Sequence, residues 1–111
     1  MAILSSHLLN SVNGTHANNV HIIIYQIKSN GEKKIFCETK TDNSGRISEE
    51  FKLNDEDCKS EYEMICKTGD YFSEKKIVSE IIVKFKMPDP NKKYHIPIII
   101  SPNGYSIWWS D

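Results

Sequence analysis

The sequence has no long apolar run, no cysteine pair at metal or redox spacing, and no excess of charge of either sign. Each absence removes a class of function. A bilayer-spanning helix needs about 20 consecutive apolar residues, whereas Ile22-Ile23-Ile24 and Ile98-Ile99-Ile100 are short runs flanked by polar positions. Residues Met1 to Asn10 carry no basic flank leading into an apolar region with a small-residue cleavage site, so no export signal is read and a cytoplasmic location is expected. The ending Trp109-Ser110-Asp111 is not a peroxisomal address either. Cys37, Cys58 and Cys66 are odd in number and lack CxxC spacing, which points to reduced thiols rather than a disulfide framework. With 14 Lys and Arg against 15 Asp and Glu, the net charge of -1 gives no electrostatic reason for a nucleic-acid or anionic-membrane partner. A small molecule or another subunit is the expected partner. There is no Gly-rich phosphate loop, no GxSxG elbow and no HExxH, and the 4 histidines show no metal-ligand spacing, so neither metal nor organic cofactor is expected.

A chain of 111 residues suits one domain, residues 1–111, built around one core. Turn signals at Asn13-Gly14, Asn18-Asn19, Ser29-Asn30-Gly31, Asp42 to Gly45, Asn54 to Asp57, Pro88 to Pro90 and Asn103-Gly104 cut it into short pieces. Asn13-Gly14-Thr15 also matches a glycosylation acceptor, but without an export signal it is read as a turn. Val20 to Ile27 is rich in β-branched residues, Lys34 to Thr39 and Tyr62 to Cys66 alternate in polarity, and Glu80 to Lys86 gathers Ile81, Val83 and Phe85 on one face. These are half-buried strands, and Ser29-Asn30-Gly31 reads as a hairpin loop between the first two. The pattern predicts an all-β, antiparallel two-sheet sandwich. Only Asp70 to Lys76 reads as a short helix.

Both ends place a histidine off the apolar row. As a strand, Ala2 to Asn10 puts Leu4 and Leu8 on one face and Ser5, His7 and Leu9 on the other. Tyr94 to Ile100 likewise gathers Tyr94, Ile96, Ile98 and Ile100, with His95, Pro97 and Ile99 opposite. Pro97 has no ladder N–H and requires an edge or bulge there. Two imidazoles on an outward face could serve as base and acid near neutral pH. Arg46, after Gly45 in a turn, is either a solvated loop charge or a guanidinium fixed to hold a carbonyl or anionic oxygen. His16 and His21 carry no further pattern. Trp108 and Trp109 suit an interface better than a stacking platform, and Cys37 and Cys66, alternating with polar neighbours, read as buried and unreactive.

Three separated segments resemble one family. Tyr94-His95-Ile96-Pro97-Ile98-Ile99-Ile100-Ser101-Pro102 with Gly104-Tyr105-Ser106 is similar to the signature of the transthyretin-like hydroxyisourate hydrolases. Leu4-Ser5-Ser6-His7-Leu8-Leu9-Asn10 resembles that family's opening strand, and Thr41-Asp42-Asn43-Ser44-Gly45-Arg46 its arginine-bearing loop. Val83 to Pro90 resembles the strand and turn that lead into the signature. The resemblance implies a prealbumin-type sandwich with one short helix, a homotetramer with clefts between dimers, and His7, Arg46 and His95 as catalytic residues. It implies hydrolysis of 5-hydroxyisourate to 2-oxo-4-hydroxy-4-carboxy-5-ureidoimidazoline, in purine degradation, without a cofactor. The family usually ends Tyr-Arg-Gly-Ser, reaching into the cleft, where this chain has Trp108-Trp109-Ser110-Asp111. Trp108, Ser110 and Asp111 are the substrate-binding positions this implies. Ile107 replaces a usual threonine and His16 a usual proline. The altered ending also suits a non-enzymatic transthyretin-like carrier of small ligands, and a sandwich mediating only protein contacts would need none of the histidine and arginine motifs.

Overall fold

The computed structural model describes residues 1–72 and 77–109. Their order is β1 (Ala2–Asn10), β2 (Thr15–His16), β3 (His21–Ile27), β4 (Lys33–Lys40), β5 (Arg46–Phe51), α1 (Asp55–Lys59), β6 (Glu61–Cys66), α2 (Thr68–Tyr71), β7 (Ile81–Lys86), β8 (Lys93–Ser101) and β9 (Gly104–Ile107). One sheet runs β2-β1-β8-β9 with β5 also on β1; the other runs β4-β3-β6-β7. The two stack as an all-β sandwich. Among the described residues every strand pairing is antiparallel except β1 with β8, which run parallel.

The alternation predicted for β1 is present, and that predicted for β8 holds except at Pro97, which is buried. Along β1, Ala2, Leu4, Ser6, Leu8 and Asn10 are buried while Ser5, His7 and Leu9 are half-buried, and in β8 Tyr94, Ile96, Ile98 and Ile100 are buried while His95 and Ile99 are half-buried. The inward set meets Ile22, Ile24, Met64 and Ile81 from the other sheet in one core. Burying an aliphatic side chain of this size stabilises the fold by about 1.5–3 kcal/mol. That gain fixes the register, because a slip of one residue would send the leucines outward and the histidines into the core.

The Ser29-Asn30-Gly31 turn joins β3 to β4 as predicted, with the Gly31 N–H on the Lys28 carbonyl at 2.8 Å. Pro97 lies where β8 has an edge. The β8–β9 ladder begins at Ile98, so before it β8 is paired only with β1. The Pro97 carbonyl accepts from the Trp108 N–H at 3.4 Å, so its missing N–H falls on the side where β9 has just ended.

The helices differ from expectation. One was predicted, over Asp70 to Lys76; the structure has a turn of helix at Thr68–Tyr71, and residues 73–76 of the predicted span lie outside the described residues. Asn54 to Asp57, read as a turn, opens a second helix. Asn54 Oδ1 accepts from the Asp57 N–H at 2.8 Å and Asp57 Oδ2 from the Asn54 N–H at 3.0 Å, a reciprocal cap that turns a polar tetrapeptide into a helix start. No helix among the described residues is long and apolar enough to cross a membrane.

Candidate active site

The outward face of β1 is the organising surface. Its pairing with β5 sets His7 opposite Arg46, and its parallel pairing with β8 sets Ser5 opposite His95 and His7 opposite Pro97. Paired residues share a face, and adjacent strands lie about 5 Å apart. The three residues singled out from sequence, His7, Arg46 and His95, therefore stand on three neighbouring strands of one sheet face. His7 and His95 are half-buried and Arg46 is exposed, so the imidazoles are shielded but accessible.

The loop that delivers Arg46 is held by its own acid. Asp42 Oδ1 accepts from the Ser44 N–H at 2.8 Å and the Arg46 N–H at 3.0 Å, while the Asp42 carbonyl accepts from the Gly45 N–H at 2.9 Å. These backbone donors, with a smaller contribution from the Arg46 charge, hold the Asp42 carboxyl below its ordinary range. Gly45 has φ +71°, where a side chain is disfavoured, and packs directly on β1. The Leu8 N–H donates to the Gly45 carbonyl at 2.8 Å, and the Leu8 carbonyl accepts from Ala17 at 2.9 Å, so one residue of β1 anchors both the arginine loop and the segment after β2.

Each histidine has a partner. Ser5 Oγ and His95 Nδ1 lie 2.8 Å apart, which fixes the ring and leaves Nε2 for the open face. His7 Nε2 lies 2.9 Å from His16 Nδ1, and the two rings stack with centroids 5.0 Å apart. Burial first, then the Arg46 guanidinium and His16, lower the proton affinity of His7 below that of an ordinary imidazole; a backbone hydrogen bond to Ser44 opposes them, and His95 adds weakly to the lowering. A ring of this kind favours the neutral form, which a general base must have. Ser5, His16 and Asp42 were not picked out from sequence, although period two already sets Ser5 on the face of His7, and an Asp opening Asp-Asn-Ser-Gly is a standard turn former.

The C-terminal residues fall elsewhere. Continuing the β9 register carries Trp108 to the end of the row Arg46, His7, Pro97, with its N–H on the Pro97 carbonyl at 3.4 Å. Its side chain, 45% exposed, lines an apolar hollow of about 260 Å³ with Val83, Phe85, Ile96 and Ile107, between the edges of the two sheets. Trp109 lines the same hollow, against Tyr94 and under the Lys92 ammonium. His7, Arg46 and His95 do not line it. Ser110 and Asp111 lie outside the described residues. Among the described residues no three His, Cys, Asp or Glu side chains are grouped to hold a metal ion. Cys66 is buried, which pushes its thiol up to about 12, and half-buried Cys37 is also raised, so neither is a poised nucleophile.

The sandwich is a transthyretin-type fold, and one of its sheet faces carries two imidazoles and a guanidinium on three neighbouring strands. The chain belongs to the HIUase/Transthyretin family, whose model matches residues 4–109. It is 35% identical over 109 residues to the 5-hydroxyisourate hydrolase of Salmonella typhimurium, covering 96% of this chain and 79% of that one. Among solved structures it resembles Klebsiella pneumoniae 5-hydroxyisourate hydrolase, with a TM-score of 0.78, 22% identity and 100% of both chains covered. It also resembles transthyretin from Sparus aurata, with a TM-score of 0.80 and 22% identity over 96% of this chain and 95% of that one. At such identities the two structures speak for the fold alone.

Proposed function

We propose that this protein is a 5-hydroxyisourate hydrolase and that His7, Arg46 and His95 perform the reaction. The observation that carries the assignment is the register of β1, which brings these three residues from distant segments onto one face. A carrier of apolar ligands has no use for such an array.

Hydrolysis of the lactam adds water across a carbon–nitrogen bond. A neutral imidazole takes a proton as the water oxygen attacks the ring carbonyl, Arg46 holds the oxygen on which negative charge develops, and the protonated imidazole returns its proton to the departing nitrogen. Atoms and charge balance without a cofactor. His7, whose surroundings favour the neutral form, suits the first step, and His95, held by Ser5, faces the same space. The product is 2-oxo-4-hydroxy-4-carboxy-5-ureidoimidazoline.

An outward sheet face becomes a secluded cleft when a second subunit covers it. We therefore infer a homotetramer in which residues 1–111 form one domain and the histidine face is closed by a neighbouring subunit, acting in the cytoplasm. In the sequence, Trp108, Ser110 and Asp111 take the positions of the family's terminal substrate-binding residues.

The test follows the ultraviolet decay of 5-hydroxyisourate made freshly from urate by urate oxidase. The wild-type protein should accelerate decay and His95→Ala should return it to the spontaneous rate. Spontaneous decay with folded wild-type protein overturns the assignment.

A further inference from the structure

His16 is the group on the site face that the reaction above leaves unused. It sits at the end of the hairpin from β1 to β2, where the turn at Asn13-Gly14, with Gly14 at φ +74°, returns the chain so that His16 pairs with Leu9. Leu9 and His7 share a face of β1, so His16 arrives beside His7 by register, and the 2.9 Å nitrogen–nitrogen contact and stacked rings follow.

We propose that His16 is a positioning residue for the reaction, holding the neutral His7 ring by its Nε2. A hydrogen bond between two imidazole nitrogens contains one proton, supplied by one ring and received by the other as a lone pair. Because the other ring N–H of His7 is directed at the Ser44 backbone, in the neutral pair His16 Nδ1–H donates to the His7 Nε2 lone pair. A doubly protonated pair cannot form this bond, because both nitrogens would carry hydrogen. His16 therefore fixes the plane and tautomer of His7.

The charged and titratable groups facing His7 are Arg46 from β5, Asp42 from the loop before it, His95 from β8 and His16 from β2. Arg46 and His16 both disfavour a charged His7, so removing His16 weakens that bias and moves the titration of His7 to higher pH.

The inference rests on the hydrolase reading, and two measurements separate their failures. The first is an NMR titration of the His7 ring in wild type, His16→Ala and His16→Asn, which needs no turnover. The second is the pH profile of kcat/KM on 5-hydroxyisourate for the same proteins. In His16→Ala the His7 midpoint and the acidic limb of the profile should both move upward, with kcat at the plateau falling about tenfold. In His16→Asn, whose amide can take the place of Nδ1, plateau kcat should recover while the limb stays displaced. Unmoved titration and limb in both variants overturn the proposal, and so does a uniform fall in kcat without displacement, which a merely structural residue would give. A wild-type protein without activity sinks the hydrolase reading, and the titration then decides the role of His16 as partner of His7.

Discussion

Gly45 lies so close to Leu8 that a Cβ added at Gly45 would come within 2.5 Å of the Leu8 carbonyl oxygen. That oxygen is already accepting from the Ala17 N–H at 2.9 Å and cannot move aside without breaking the bond that carries the chain past His16. The loop that aims Arg46 and the segment that brings in His16 are thus fastened to one peptide of β1.

Replacing this glycine should damage stability and activity together. Gly45→Ala meets both the left-handed φ of +71° and the Leu8 oxygen, and should destabilise the fold by about 2–4 kcal/mol. Urea unfolding reads the first effect and 5-hydroxyisourate turnover the second. An alanine variant with wild-type stability would show that the loop can leave β1 freely.

The lowered proton affinity of His7 sets a pH dependence with a definite sign. The base must be neutral, so kcat/KM should be flat above pH 6.5 and fall as pH drops through the His7 midpoint, which lies below that value. The same group links folding to pH in the same direction. Its midpoint is lower folded than unfolded, so its contribution to stability is present above 6.5 and lost as pH falls through the folded value. An acidic limb centred above 6.5 would contradict the assignment of His7 as the base.

Which of these relationships a reader of the sequence can see depends on how far apart the partners lie in the chain. The inward and outward rows of β1 and β8 follow from period two, because Leu4, Leu8, Ile96, Ile98 and Ile100 are unambiguous core residues and leave Ser5, His7 and His95 on the other side. The parallel pairing of β1 with β8 joins segments about 90 residues apart by backbone bonds that no local pattern encodes, so Ser5 could not be matched to His95. β5 was hidden by composition, since Ser48-Glu49-Glu50 lacks the alternation of a half-buried strand and owes its place to pairing with β1. The Asn13-Gly14 turn was legible, but the residue His16 would face depends on register within the hairpin. Helix α1 was missed because its cap uses the same residue types as a turn.

Arg46 is placed by its backbone N–H, which donates to Asp42 Oδ1, so its side chain can be changed without disturbing the loop. Arg46→Lys should therefore keep stability within about 0.5 kcal/mol and yet lose about 100-fold in kcat, because an ammonium cannot hold an oxygen with the planar fork of a guanidinium. Near-normal turnover in this variant would remove Arg46 from the role of charge stabiliser. Asp42→Ala should act through the loop instead, lowering activity more than Asp42→Asn, whose side-chain oxygen can still receive the Ser44 and Arg46 N–H groups.

The Ser5 hydroxyl, 2.8 Å from His95 Nδ1, gives a prediction that separates orientation from burial. Its small, half-buried side chain fills little of the core, so Ser5→Ala should change stability by no more than about 1 kcal/mol. Without the hydroxyl the His95 ring loses the bond that directs Nε2 to the open face, and kcat should drop about tenfold. Ser5→Thr retains the oxygen and, being β-branched, suits a strand, so it should restore most of the rate. Equal rates for Ser5→Ala and wild type would mean that packing against β1 alone orients His95, and equal losses in the alanine and threonine variants would mean that the space around Ser5, rather than its hydroxyl, is what the ring requires.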